Sequence, residues 1–329
     1  MYNIDEHIHY AETIRFSSAY MISQFFILVG ALYCIIHGAT LATKYAVKIA
    51  ANFRLSPYAV GFIVVAIISI LPETFISIAS SLEGMPAFGF GVLLGSNVAD
   101  LTLVIAIITI AARRPLKVES KILVHHALYP FLLLLPIVLG FDGYLSRAEG
   151  IALIIAGILF YYLTLKQTNS GTPVQEHTSG RTKNLLFLLL SVTLLLIGAH
   201  FTVAAASTIA VFLGISPVLI GMLIVGLGTT MPELFFSLKA VKSHHDSLAV
   251  GDVLGTVLAD ATIVVGILAL MNPFAFPTTI IYVAGVFMVG AAFILFSFMR
   301  SGKSVTGKEA FALIVFWLTF IAVESIINI

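Results

Sequence analysis

The chain has 329 residues, 60% hydrophobic and only 10% charged, with a net charge of +1 and a mean hydropathy of +1.08. That excludes an ordinary soluble domain, where roughly a quarter of residues are charged, and points to repeated membrane crossings. The near-neutral balance gives no ground for a nucleic-acid partner, and the one cysteine, Cys34, excludes an internal disulfide or a thiolate metal cluster.

The opening stretch "MYNIDEHIHY" carries acids and histidines instead of a basic n-region, so no cleaved signal peptide is expected. Apolar runs then predict ten spans: 18–43, 57–82, 87–112, 122–140, 147–165, 184–212, 217–241, 248–271, 277–299 and 308–328. None shows the ten-residue alternation of a membrane barrel. The expected fold class is an all-α polytopic membrane protein. The polar stretch 166–183, "KQTNSGTPVQEHTSGRTK", reads as a flexible linker too short for a domain. It divides the chain into five-helix halves at 1–165 and 184–329.

The basic residues follow this layout. Fifteen of the 17 Lys and Arg residues fall in one alternating set of loops and chain ends, and Arg15 and Arg147 fall in the other. The positive-inside rule makes the first set cytoplasmic. An integral protein of the inner or plasma membrane with both termini extracytoplasmic is expected.

The sequence overlays itself at one fixed, gapless offset that sets Ser56 on Ser216. "SPYAVGFIVVAIISILPETFISI" (56–78) lies over "SPVLIGMLIVGLGTTMPELFFSL" (216–238). Ser56, Pro57, Gly61, Val65, Pro72, Glu73, Phe75 and Ser77 match Ser216, Pro217, Gly221, Val225, Pro232, Glu233, Phe235 and Ser237. In the next span, Gly95, Ala99, Asp100 and Thr102 match Gly255, Ala259, Asp260 and Thr262. Five spans per copy is an odd number, so the second copy enters the membrane inverted, as in many secondary transporters with midplane sites.

Glu73, Glu233, Asp100 and Asp260 lie deep in these spans. A carboxylate there costs about 2.5–3.5 kcal/mol on insertion scales and faces a cavity or a partner. The spans offer no Lys or Arg to neutralise them, which points to a mobile cation or a proton. Pro72 and Pro232 break their helices and free the carbonyls of Ile68 and Gly228. Hydroxyls cluster nearby: Ser69, Ser77, Ser96, Thr229, Thr230, Ser237 and Thr256. Such an all-oxygen shell suits Ca²⁺ or Na⁺. Repulsion and desolvation are expected to keep Asp100 or Asp260 protonated in some states.

At these residues the chain resembles the calcium/cation antiporter superfamily, specifically the prokaryotic type of sodium/calcium exchanger with two alpha repeats. The first repeat (61–102) carries "ISILPE" (68–73) and "GSNVAD" (95–100); the second (221–262) carries "GTTMPE" (228–233) and "GTVLAD" (255–260). The resemblance implies ten helices in two inverted halves. It implies Ca²⁺ ligation by Glu73 and Glu233, and Na⁺ or Ca²⁺ contacts at Ser69, Ser96, Thr229, Thr230 and Thr256 and at the carbonyls of Ala66 and Gly226. It also implies that spans 1 and 6 slide across the core. Three residues depart from the family pattern. Ile70 replaces a hydroxyl, Asp100 stands where many exchangers have Asn, and Val257 replaces an Asn.

The expected function is therefore Ca²⁺/Na⁺ antiport without a cofactor, an obligate protein partner or enzymatic activity. A proton-coupled divalent-cation exchanger and a cation channel are the alternatives. Asp252 is expected to be a solvated helix cap, with cytoplasmic ion entry as its functional reading. His37 and His200 are expected in ordinary hydrogen-bonded packing, with proton relay as the functional reading, the pairs at 125–126 and 244–245 at interfaces, and Glu324 solvated.

Overall fold

The computed structural model describes residues 18–50, 66–118, 129–168 and 181–328. Its first part runs α1 (Ser18–Ala50), α2 (Ala66–Ser69), α3 (Leu71–Leu82), α4 (Pro86–Ala99), a π-helical turn (Asp100–Val104), α5 (Ile105–Ala112), β1 (Leu116–Lys117), α6 (Tyr129–Leu133), α7 (Leu135–Leu139), β2 (Tyr144–Leu145) and α8 (Arg147–Thr168). Its second part runs α9 (Arg181–Leu213), α10 (Pro217–Ile220), a π-helical turn (Gly221–Val225), α11 (Gly226–Thr229), α12 (Met231–Lys242), α13 (Asp246–Ala259), a π-helical turn (Asp260–Val264), α14 (Val265–Met271), β3 (Phe274–Ala275), α15 (Thr278–Gly302), β4 (Ser304–Val305) and α16 (Gly307–Asn328).

The offset found in the sequence is visible in these elements. The first residues of α2, α3, α4, the π turn at Asp100 and α8 fall, at that same offset, on the first residues of α11, α12, α13, the π turn at Asp260 and α16. The matched helices also run in opposite directions. α5 leads into β1, which pairs antiparallel with β4, while α14 leads into β3, which pairs with β2. Asp246 at the start of α13 touches Arg114 and Lys117, so α13 begins at the β1–β4 end and finishes at the other.

Among the described residues, eight helical stretches are long and apolar enough to cross a membrane. The two expected spans outside that set are 57–82 and 122–140, of which 57–65 and 122–128 lie beyond the described residues. The described part of the latter is interrupted at Leu134, two residues before Pro136, as a missing N–H and a ring clash dictate. The two strand pairs are a feature that an all-α expectation leaves out. Each strand has only two residues, too few to register as alternation.

Burial sorts the helices into a centre and a shell. The stretches Pro86–Ala112 and Asp246–Met271 are 89% and 83% buried, while Tyr20–Ala42, Leu186–Leu213 and Gly307–Ile327 are 22–33% buried. The shell helices are as apolar; what sets the central stretches apart is that they carry Asp100, Asp252 and Asp260, which lipid would reject. In the shell, α1 and α9 cross antiparallel. Gly38 meets Leu194 and Leu195, Gly198 meets Ala31 and Ile35, and Tyr45 stacks on Phe187 with centroids 4.8 Å apart. Small residues are what lets helices in lipid approach this closely.

The ends of the molecule are held differently. At the β1–β4 end, Arg114 makes a bidentate pair with Asp246 (Nη1–Oδ2 2.6 Å, Nη2–Oδ1 2.8 Å), and the Lys117 amide donates to the same carboxylate at 3.0 Å. At the β2–β3 end, Phe90 packs edge-on against Phe274 and Phe276. Arg114→Ala should cost about 2 kcal/mol, because it leaves the buried Asp246 carboxylate without its bidentate charged partner, and lower the thermal midpoint in detergent. The loss should shrink in high salt, where the pair is already screened.

Three sequence-based expectations are corrected here. Glu324 is fully buried in α16, not solvated, because α16 turns that position toward the neighbouring helices. His37 lies exposed on α1, stacked on Tyr33 at 4.0 Å, and His200 is exposed on α9, with its Nδ1 3.1 Å from Glu83 Oε1. Neither histidine is packed in the interior. Residues 125 and 126 lie outside the described residues; His244 and His245 are exposed.

Candidate functional site

The two Pro-Glu pairs start short helices. Pro72 and Pro232 each occupy the first turn of their helix, the position a residue without an N–H tolerates. Ile70 and Thr230, just before these helices, have ψ of −4° and −14°, flattened from the regular helical value. Their amides still reach back to the carbonyls of Ala66 (3.0 Å) and Gly226 (3.2 Å). The break is a one-residue opening of the helix, and it sets Glu73 and Glu233 in the first turns of α3 and α12.

Glu73, Glu233, Asp100 and Asp260 are all buried to 1% exposure or less, and no oxygen of any of them has a hydrogen-bond partner. Among the described residues, no lysine or arginine is buried. The carboxylates lie within electrostatic reach of one another. Glu233 interacts with Glu73 and Asp100, and Asp260 with the same two. Each aspartate opens a π-helical turn, a one-residue expansion that is frequent at functional sites. No three of the described Asp, Glu, His and Cys side chains close on a common point as a ready-made cage would. The carboxylates form a connected chain of charges through the core.

Of the hydroxyls expected to form a shell, three are engaged by backbone carbonyls of their own segments. Thr229 and Thr230 both donate to the Gly226 carbonyl at 2.9 Å, and Ser96 donates to Leu93 O at 3.1 Å. The Glu73 carboxyl lies beside Thr229, and Asp100 beside Thr230. Ser77 and Thr256 are buried with hydroxyls that have no hydrogen-bond partner, and the buried Ser237 hydroxyl has none other than the facing Asp252 carboxylate. The Ala66 and Gly226 carbonyls, implied as ligands, accept helix hydrogen bonds here.

Asp252 is not the solvated cap that sequence suggests. It is fully buried, lies within electrostatic reach of Asp100 and Glu233, and accepts a 3.0 Å hydrogen bond from Ser69. Hydropathy near a helix end cannot reveal that packing, and its partner is 183 residues away in sequence. Asn97 of "GSNVAD", to which the resemblance assigns no role, is also buried, and its Oδ1 lacks a partner.

Glycines bring the two motif regions into backbone contact. A methyl group on Gly95 would run into the Met222 carbonyl, with its carbon 2.7 Å away. One on Gly226 would meet Ser96 N and Val92 O, each at 2.9 Å. The "GSNVAD" helix is thereby pressed against the stretch that leads to "GTTMPE".

The profile of the family described as sodium/calcium exchanger protein matches this chain twice, at residues 23–166 and 183–325. Sodium/calcium exchanger MaX1 of Methanosarcina acetivorans is 25% identical over 348 aligned positions, covering 91% of this chain and 98% of that protein. Inner membrane protein YrbG of Escherichia coli is 27% identical over 264 residues, 75% of this chain and 79% of that one. The sodium-calcium exchanger NCX_Mj, in crystals soaked with Na⁺ and Sr²⁺, superposes with a TM-score of 0.68 at 25% identity, covering 92% of this chain and 98% of its own. Both halves of the sequence carry the match, and so this multi-pass membrane protein belongs to the sodium/calcium exchanger family of cation antiporters.

Proposed function

We propose that the chain exchanges Ca²⁺ for Na⁺ by alternating access, with Glu73 and Glu233 as the central Ca²⁺ ligands of a midplane site. One observation carries this reading. Four buried carboxylates have unpartnered oxygens, and among the described residues no buried Lys or Arg balances them. Buried charges are paired or coordinate cations, so the compensating charge is the cargo. Two glutamates balance one Ca²⁺, and surrounding hydroxyls and carbonyls fill its six to eight oxygen positions. On this reading Asp100, Asp260, Ser69, Ser96, Thr229, Thr230 and Thr256 complete the ion sites. Carbonyls of Ala66 and Gly226 join when their internal hydrogen bonds give way. The opposed directions of α4–α5 and α13–α14 favour two inverted halves joined by the 166–183 linker. The basic β1–β4 end would be cytoplasmic.

A proton-coupled exchanger is the second reading. Its support is that Ile70 removes a hydroxyl from one half and Asp100 adds a carboxylate. ⁴⁵Ca²⁺ uptake into proteoliposomes under an imposed Na⁺ gradient, and separately under an imposed pH gradient, tests both. Uptake driven by Na⁺ alone is expected. Uptake driven only by the pH gradient would transfer the assignment to protons. Passive flux with no counter-transport would make the protein a channel.

A further inference from the structure

The core contains a second polar cluster beside Glu233, built from both halves, whose acid is supplied by only one of them. Asp252 lies six residues, about 9 Å, into α13 from the β1–β4 end, on the same side of Glu233 as Ser237. One of its oxygens accepts the Ser69 hydroxyl at 3.0 Å, while the other, Oδ2, is buried without a partner. Ser237 lies beside it, and Thr256 follows one turn along α13. The Thr256 hydroxyl is buried without a hydrogen-bond partner, and the Ser237 hydroxyl has none other than the facing Asp252 carboxylate. Among the described residues, the titratable groups facing Asp252 are Asp100, Glu233 and Tyr161, none of them cationic.

The repeat shows what is added here. In the repeat register, Ser69, Ser237 and Thr256 correspond to Thr229, Ser77 and Ser96, but Asp252 corresponds to Val92. The opposite half therefore keeps the hydroxyls and lacks the acid. A carboxylate that the site's symmetry does not supply, placed among spare oxygens, needs a positive charge of its own.

We propose that Asp252, with Ser69, Ser237 and Thr256, forms a further site for a monovalent metal cation of the Na⁺ class, on the β1–β4 side of Glu233. The inference rests on the exchange reading above and adds to it a station whose carboxylate only the second half supplies. One carboxylate balances one charge, whereas Ca²⁺ favours more than one carboxylate and six or more oxygens. Ser69 can donate its proton to Asp252 and still offer lone pairs to the ion. Because Ser69 also borders the Glu73 region, occupancy here would compete with Ca²⁺ for a shared hydroxyl and favour its release toward the β1–β4 face.

The test uses the full-length protein in proteoliposomes, measuring Ca²⁺–Ca²⁺ exchange and Na⁺-driven Ca²⁺ efflux. Asp252→Asn should raise the Na⁺ concentration for half-activation about tenfold, the scale of a lost charged contact. The half-saturating Ca²⁺ concentration should move much less, and Ca²⁺–Ca²⁺ exchange reports that the variant is folded. Ser237→Ala should shift the Na⁺ parameter in the same direction by about threefold, and it decides the matter alone if Asp252→Asn does not fold. Wild-type Na⁺ half-activation in the folded variants overturns the proposal, as does a change confined to the pH profile or transport driven by protons alone. Absence of Ca²⁺–Ca²⁺ exchange in the wild type would instead overturn the exchange reading itself.

Discussion

Glu233→Gln and Glu73→Gln should each abolish Ca²⁺ counter-transport while leaving the protein folded and, without cations, more heat-resistant than the wild type. Glutamine keeps the shape of the side chain and removes the charge. In the wild type that charge is buried with both oxygens unpartnered, and ionised groups at this depth cost about 2.5–3.5 kcal/mol on insertion scales. Its removal should stabilise the cation-free protein by about 1–3 kcal/mol. The same change removes half of the formal charge that offsets Ca²⁺, so transport should fall by more than about a hundredfold, equivalent to roughly 2.7 kcal/mol of lost binding. Thermal midpoints with and without Ca²⁺ give an independent reading. The wild type should gain stability with Ca²⁺ by mass action, and neither variant should. Normal exchange in either variant would remove that glutamate from the centre of the mechanism.

Gly95→Ala should be nearly as damaging for a purely steric reason. Any Cβ at this position meets the backbone carbonyl of Met222, which cannot rotate away as a side chain would. Relief requires the α4 backbone to separate from the Gly221–Val225 turn, which leads to Thr229 and Glu233. The overpacking should cost about 1–3 kcal/mol and displace the facing hydroxyls and carboxylates. A lower thermal midpoint with weakened Ca²⁺ stabilisation is expected. Gly30→Ala, where a Cβ meets nothing within 4 Å, is the matched control and should behave as wild type. If both variants retain full stability, the close approach is not a constraint.

How far the sequence was legible depended on the rarity of each signal. Pro72, Glu73, Pro232 and Glu233 stood out because apolar spans almost never hold such residues, and the repeat offset recurs in the helix boundaries. Asp252 was misjudged for the opposite reason. It sits near a helix start, where acids are common, and the hydroxyl that bonds it, Ser69, comes from the other half. Glu324 failed similarly, since distance along a helix says nothing about which neighbour covers it. The π-helical turns at Asp100 and Asp260 left no periodic signature, and the two-residue strands were too short to leave one. The hydroxyls were legible as residue types near the motifs, yet composition could not tell that Thr229 and Thr230 bond inward to Gly226 while Thr256 has no partner.

The unpartnered carboxylates also bear on leakage. An exchanger is useful only if it does not cross the membrane empty, since each empty return would uncouple one gradient from the other. Glu73 and Glu233 have no buried lysine or arginine among the described residues to stand in for a departed ion. Sealing them off from both solutions ionised and without cargo would strand two charges in a low-dielectric core, at several kcal/mol per ion even after relaxation, unless each first bound a proton. Loading removes that penalty. On the proposed exchange reading, the same missing countercharge that would draw cations to the site also discourages an empty, unprotonated return.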